Sequence, residues 1–132
     1  MKKLAMAIMA VLALALGACE TEEAMRVQGV IGAYDCAFTC TLSDLRGIEP
    51  DTTFSGQATK FVAEAEDWKN GQIFVDESEV TLNYDSTFTF SSTTYYLSGS
   101  FGPDGQISYV ETIIDTESNT RTDCQYTGSK KP

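Results

Sequence analysis

From Gly29 onward, apolar and polar residues alternate along most of the chain. Strict alternation is the mark of strands with one face buried. In a first strand over about 29–42, Tyr34, Cys36, Phe38, Cys40 and Leu42 share one face. Ala33, Asp35, Ala37 and Thr39 take the other. A loop follows over 43–53, broken by Gly47 and Pro50. Residues 55–66 fit two templates. Ala58, Phe61, Val62 and Ala65 sit at helical spacing, while Phe61, Ala63 and Ala65 also alternate with Lys60, Val62, Glu64 and Glu66. Asn70-Gly71 is a strong hairpin signal and a hairpin needs strands on both sides. This favours a strand over 55–66, paired with a strand at 72–75; one short helix near 57–67 is the alternative.

The second half alternates more cleanly. Val80, Leu82 and Tyr84 share a face, then Phe88 and Phe90, then Tyr95, Leu97, Gly99 and Phe101. Ile107, Tyr109, Glu111 and Ile113 follow, then Thr122, Cys124, Tyr126 and Gly128. Asp85-Ser86, Gly102-Pro103-Asp104-Gly105 and Ser118-Asn119 are turns. The expected fold is all-β: an antiparallel up-and-down meander of about eight strands over 29–129, with a tail at 130–132. Such a meander closes, or nearly closes, into a small barrel, because closure removes exposed edges. The alternative is an open β-sandwich with the short helix. The pattern resembles the calycin barrels, the group that includes the lipocalins, and that resemblance implies an interior able to hold a small ligand. Where lipocalins carry Gly-x-Trp, this chain has Gly32-Ala33-Tyr34, and its sole Trp is Trp68.

The N-terminus follows another rule. Met1-Lys2-Lys3 is positive, and residues 4–16 form an unbroken apolar run of 13. A membrane-spanning helix needs about 20, so residues 1–18 read as a signal peptide. Leu16-Gly17-Ala18-Cys19 resembles the lipobox of bacterial lipoproteins. The resemblance implies cleavage before Cys19, lipidation of its thiol and attachment to the cell envelope. Residues 19–28 then form a lipidated Cys and an acidic tether, spanning at most roughly 30 Å if extended. Within it, Glu20-Thr21-Glu22-Glu23 reads first as a solvated tether. It also resembles the cue that sends lipoproteins of Bacteroidota to the outer-membrane surface, so the outer membrane is favoured and exposure at the cell surface is the further option.

Charge and composition narrow the chemistry. The chain has 132 residues, with 19 acidic and 9 basic side chains and no His. Loss of Lys2 and Lys3 would move the net charge from −10 to −12. An acidic protein lacks the basic face that nucleic acid requires. Without His the usual triads and the commonest general base are missing. No phosphate loop, nucleophile elbow or Cys-x-x-Cys is present. Neither a metal nor a cofactor is implied, and the expectation is a binding protein, not an enzyme.

With Cys19 lipidated, three thiols remain in an oxidising compartment. Cys36 and Cys40 on one strand lie about 13 Å apart, beyond disulfide reach. Cys124 is the partner for one of them. Pairing Cys36 with Cys124 overlaps the first and last strands almost fully, so it is preferred; Cys40 is the alternative. Most carboxylates, among them Asp76 and Glu77, read as solvated turns. Glu111 is the exception, because it shares a face with Ile107, Tyr109 and Ile113. A buried carboxylate can anchor a ligand. With it, Tyr34, Phe38, Tyr84, Phe88, Tyr95, Tyr109 and Tyr126 form the candidate lining for a small apolar or amphipathic ligand. The competing reading is a filled core, with the protein meeting an envelope partner through its acidic surface or a strand edge.

Overall fold

Each run of alternating residues forms a strand, and the strands join into one antiparallel sheet. The computed structural model describes residues 21–132. The signal peptide, the lipobox and Cys19 therefore lie outside the described residues. After helix α1 (Glu22–Val30) come β1 (Gly32–Asp44), β2 (Thr52–Glu64), β3 (Gln72–Val75) and β4 (Ser78–Thr81). These are followed by β5 (Thr87–Ser91), β6 (Tyr95–Gly102), β7 (Gln106–Asp115) and β8 (Thr120–Lys130). The order across the sheet is β4-β3-β2-β1-β8-β7-β6-β5. First and last strands meet in the middle, and the sheet curls until β4 approaches β5. The result is a nearly closed up-and-down barrel of eight strands.

Residues 55–66 are strand, not helix. The expected face is reversed, however. Val62 is buried and Phe61 is 59% exposed, because the β1–β2 register sets Val62 opposite Gly32 and Lys60 opposite Tyr34. Asn70-Gly71 does not close a two-residue hairpin. It ends a 3-10 turn over Trp68–Asn70, with Gly71 in the left-handed region at φ 91°, inside a wider connection from Glu64 to Gln72. The strand β8 runs through Lys130, which pairs with Tyr34, so the expected tail is shorter than drawn.

The segment expected as an extended tether is largely helix α1. Thr21 caps it: its Oγ1 accepts the Ala24 amide at 3.1 Å and donates to the Lys69 carbonyl at 3.1 Å. Glu22 and Glu23 occupy the first turn, where acidic charge suits the helix dipole. Ala24 and Val27 are buried, and the Tyr34 hydroxyl donates to the Val30 carbonyl at 2.6 Å. The helix thus packs at the barrel end where β1 begins.

The disulfide joins Cys40 to Cys124, and Cys36 is a buried free thiol. The preferred Cys36–Cys124 pairing is incorrect because β1 continues to Asp44 and β8 to Lys130. Those extra residues restore full overlap with Cys40 opposite Cys124 and Cys36 opposite Gly128. Glycine is needed at 128: a Cβ there would sit 2.6 Å from the Cys36 Sγ and 2.8 Å from its Cα.

Inside, Tyr34, Phe88, Phe101, Tyr109 and Tyr126 are buried. Tyr109 stacks on Tyr126 with centroids 4.7 Å apart, and Phe88 packs against Phe101 at 5.2 Å. These rings fill the closed part of the barrel.

Candidate functional site

Strand lengths decide where the barrel is open. β1 and β2 have 13 residues each, but β3 and β4 have only four. On the side away from β1, β2 pairs only over Val62–Glu64. The wall is therefore notched at the end away from α1, between the upper part of β2 and the β5–β6 turn. An open cleft of about 910 Å³ occupies this notch. Lys60 and Phe61 of β2, Asp76 and Glu77 of the β3–β4 turn, Phe90 and Tyr95 of β5 and β6, and Glu111 of β7 line it.

Asp76 organises one wall. It is the first of the two residues between Val75 and Ser78, and takes a positive φ of 52°. An Asp tolerates this geometry better than most residues. Its Oδ1 accepts the Phe61 amide at 3.0 Å, and its own amide donates to the Phe61 carbonyl at 2.8 Å. Its Oδ2 lies 3.2 Å from the Lys60 Nζ, which also stands 4.4 Å from the centroid of the Tyr126 ring. Burial pulls the Lys60 ammonium down, but the charge and hydrogen bond of Asp76 outweigh it, so its pKa is raised.

On the opposite wall the Tyr95 hydroxyl donates to Glu111 Oε2. Burial first, and then this bond, push the Tyr95 phenol well above its ordinary value. Tyr126 is raised by burial and then by the Glu111 charge, against the pull of Lys60. Deeper in the core, the Tyr109 hydroxyl has no hydrogen-bond partner among the described residues; burial holds its phenol firmly neutral. The Tyr34 phenol is pushed up to about 12, by burial and then by Cys36. Three carboxylates face one ammonium in the cleft, beside the apolar faces of Phe61 and Phe90. This arrangement offers both polar anchoring and an apolar wall.

The expected ligand lining divides in three. Tyr95 and Glu111 do line the cleft. Tyr34, Phe88, Tyr109 and Tyr126 are core, with Phe38 half-buried against Tyr126 at 5.7 Å. Tyr84 is on the outside, 77% exposed, beneath the Arg26 guanidinium at 4.8 Å. It leaves the inward face because β4 ends at Thr81 and the chain turns over 83–86, where the Asn83 amide bonds the Thr87 carbonyl at 2.8 Å. Lys60 and Asp76 were missed. Lys60 keeps period two with Ala58 and Val62, which is the signal that could have placed it on the inward face.

Among the described residues, no group of three or more Cys, Asp or Glu side chains is placed to hold a metal ion. No described helix is long and apolar enough to cross a membrane. No family model matches the chain, and no curated protein or solved structure matches it either.

Proposed function

We propose that this is a lipid-anchored binding protein of a bacterial envelope that takes a small amphipathic ligand in the notched mouth of its barrel. The observation that carries the reading is the cleft itself: paired polar groups, Lys60–Asp76 and Tyr95–Glu111, stand beside Phe61 and Phe90. A few placed polar groups against an apolar wall are what small-molecule sites use. The filled interior moves the ligand from the barrel's centre, where the calycin resemblance would put it, to the mouth.

The anchor geometry agrees. Thr21 bonds Lys69 at the helix end of the barrel, and Cys19 is two residues before it, within about 7 Å along an extended chain. A lipid on Cys19 would set the closed end toward the membrane and the mouth away from it. A non-catalytic role is supported by the commitments of two of the three cleft carboxylates: Asp76 holds Lys60 and the Phe61 amide, and Glu111 holds Tyr95.

Titration with the neutral apolar dye Nile red tests the site. Saturable binding is expected, weakened at least about tenfold by Phe90→Ala, since a large apolar side chain contributes about 1.5–3 kcal/mol. Absence of saturable binding, or equal binding by the variant, would overturn the mouth as the ligand site. Separately, Cys19→Ala should release the protein from the membrane fraction; unchanged fractionation would defeat the anchor. An interaction role gains support from one other observation, the unpaired edge of β2.

A further inference from the structure

We infer that the free edge of β2 is a strand-addition site for an extended, cationic segment of a protein partner. The inference stands apart from the small-ligand reading. The Phe61 amide and carbonyl point toward Asp76, away from β1. The β1–β2 register runs without a bulge from Leu42↔Thr52 to Gly32↔Val62. Alternation therefore turns the amides and carbonyls of Thr53, Ser55, Gln57 and Thr59 to the same outer side. Among the described residues no strand pairs with them there. The run is about 20 Å long at the strand rise.

Proteins usually blunt such an edge with charge, proline or a bulge. From Thr52 to Thr59 this one has no charge, no Pro and no bulge. The next charge, Lys60, points inward onto Asp76. An edge of this kind is completed by backbone hydrogen bonds from another extended chain.

Charge selects the occupant. Residues 21–132 hold 18 acidic and 7 basic side chains, and a second copy would bring the same excess of negative charge to the contact. The edge also borders the mouth, where Asp76, Glu77 and Glu111 face the single Lys60. Asp35, opposite Thr59 on β1, is already paired with Lys131 at 3.4 Å and adds no free charge to the edge. An extended segment carrying Lys or Arg meets complementary charge at the mouth, whereas an acidic segment or a second copy does not.

The test uses the protein extracted from bacterial membranes in mild detergent, with its disulfide intact. The probes are a ten-residue peptide alternating valine and lysine, and its valine–glutamate counterpart. Saturable binding of the lysine peptide is expected, at least about tenfold tighter than its counterpart at low salt. Binding should slow amide exchange at Thr53, Ser55, Gln57 and Thr59. Gln57→Pro removes an outward donor and leaves the β1–β2 ladder intact; it should weaken binding at least about tenfold. Gln57→Val keeps the donor and should bind like the parent. Should Gln57→Pro fail to fold, the exchange map of the parent protein decides alone. No saturable binding, no preference for lysine, unchanged affinity in folded Gln57→Pro, or protection elsewhere would overturn the inference. Concentration-dependent dimerisation that protects the same amides without peptide would also overturn it, by making a second copy the occupant.

Discussion

Breaking the Cys40–Cys124 bridge should cost more stability than replacing Cys36 by alanine. The bridge spans 84 residues of sequence. A cross-link over a loop of that size restricts the unfolded chain by roughly 4–5 kcal/mol in the entropic model, against about 2–4 kcal/mol commonly found. For a domain of this size, about 4 °C accompanies each kcal/mol, so loss of the bridge should lower Tm by roughly 10–15 °C. Cys36→Ala removes one buried sulfur and keeps the bridge, which should cost about 1 kcal/mol. Urea unfolding of Cys36→Ala, of the Cys40→Ala/Cys124→Ala pair and of the reduced parent separates the two cases. Chymotryptic mapping without reductant adds the connectivity, because Phe38 lies between Cys36 and Cys40. The reasoning is refuted if the fragment bearing Cys36 is found joined to Cys124. Equal destabilisation by Cys36→Ala would refute it as well.

Three further outcomes follow from the packing. Val27→Ala should destabilise by roughly 2 kcal/mol, since Val27 is fully buried at the barrel end and two methylene equivalents are lost; an effect near zero in urea unfolding would mean α1 is not part of the fold. Gly99→Ala should cost about 1–3 kcal/mol through overpacking, because the new Cβ would overlap the Tyr109 Cβ and the Ser108 carbonyl; a neutral variant would contradict the β6–β7 contact. The Asp44 carboxyl is held well below the usual range by the Arg46 side chain, then by the Arg46, Glu49 and Ile48 amides. A lowered folded pKa stabilises above the unfolded value, near 3.9, and that contribution fades as pH falls through the folded one. Asp44→Asn should therefore differ from the parent at pH 7, with the difference shrinking toward pH 2. A difference that grows on acidification would reverse the assignment.

Period-two alternation was legible in the second half of the chain, as at Phe88 and Phe90 or at Leu97, Gly99 and Phe101, whereas in β2 the buried face was read the wrong way round. The turns were legible too, because the chemistry of Gly102-Pro103-Asp104-Gly105 and Ser118-Asn119 matches the positive φ at Asp104, Gly105 and Asn119. Helix α1 was not, although Thr21 with Glu22 and Glu23 is a capping signal. Nine residues are marginal as an isolated helix, and its stability comes from burying Ala24 and Val27 as it packs against the Trp68–Asn70 turn and β2, far along the chain. Cysteine pairing failed for a related reason: two residues at a strand end decide which cysteine faces Cys124, and strand ends are where sequence patterns say least. Glu111 was found because it broke an apolar face. Tyr95 was grouped with it in the expected lining, and the two meet across the β6–β7 pair. The Lys60–Asp76 pair was not joined to them, since that contact depends on how short β3 and β4 are.

Native mass spectrometry of the protein purified in mild detergent, kept non-reduced, tests the binding claim most directly. Compared side by side, the parent should carry extra mass that disappears on denaturation, and a Phe90→Ala variant should carry less or none. A bare mass for the parent, or the same bound mass in both proteins, would contradict a ligand held in the mouth of the barrel.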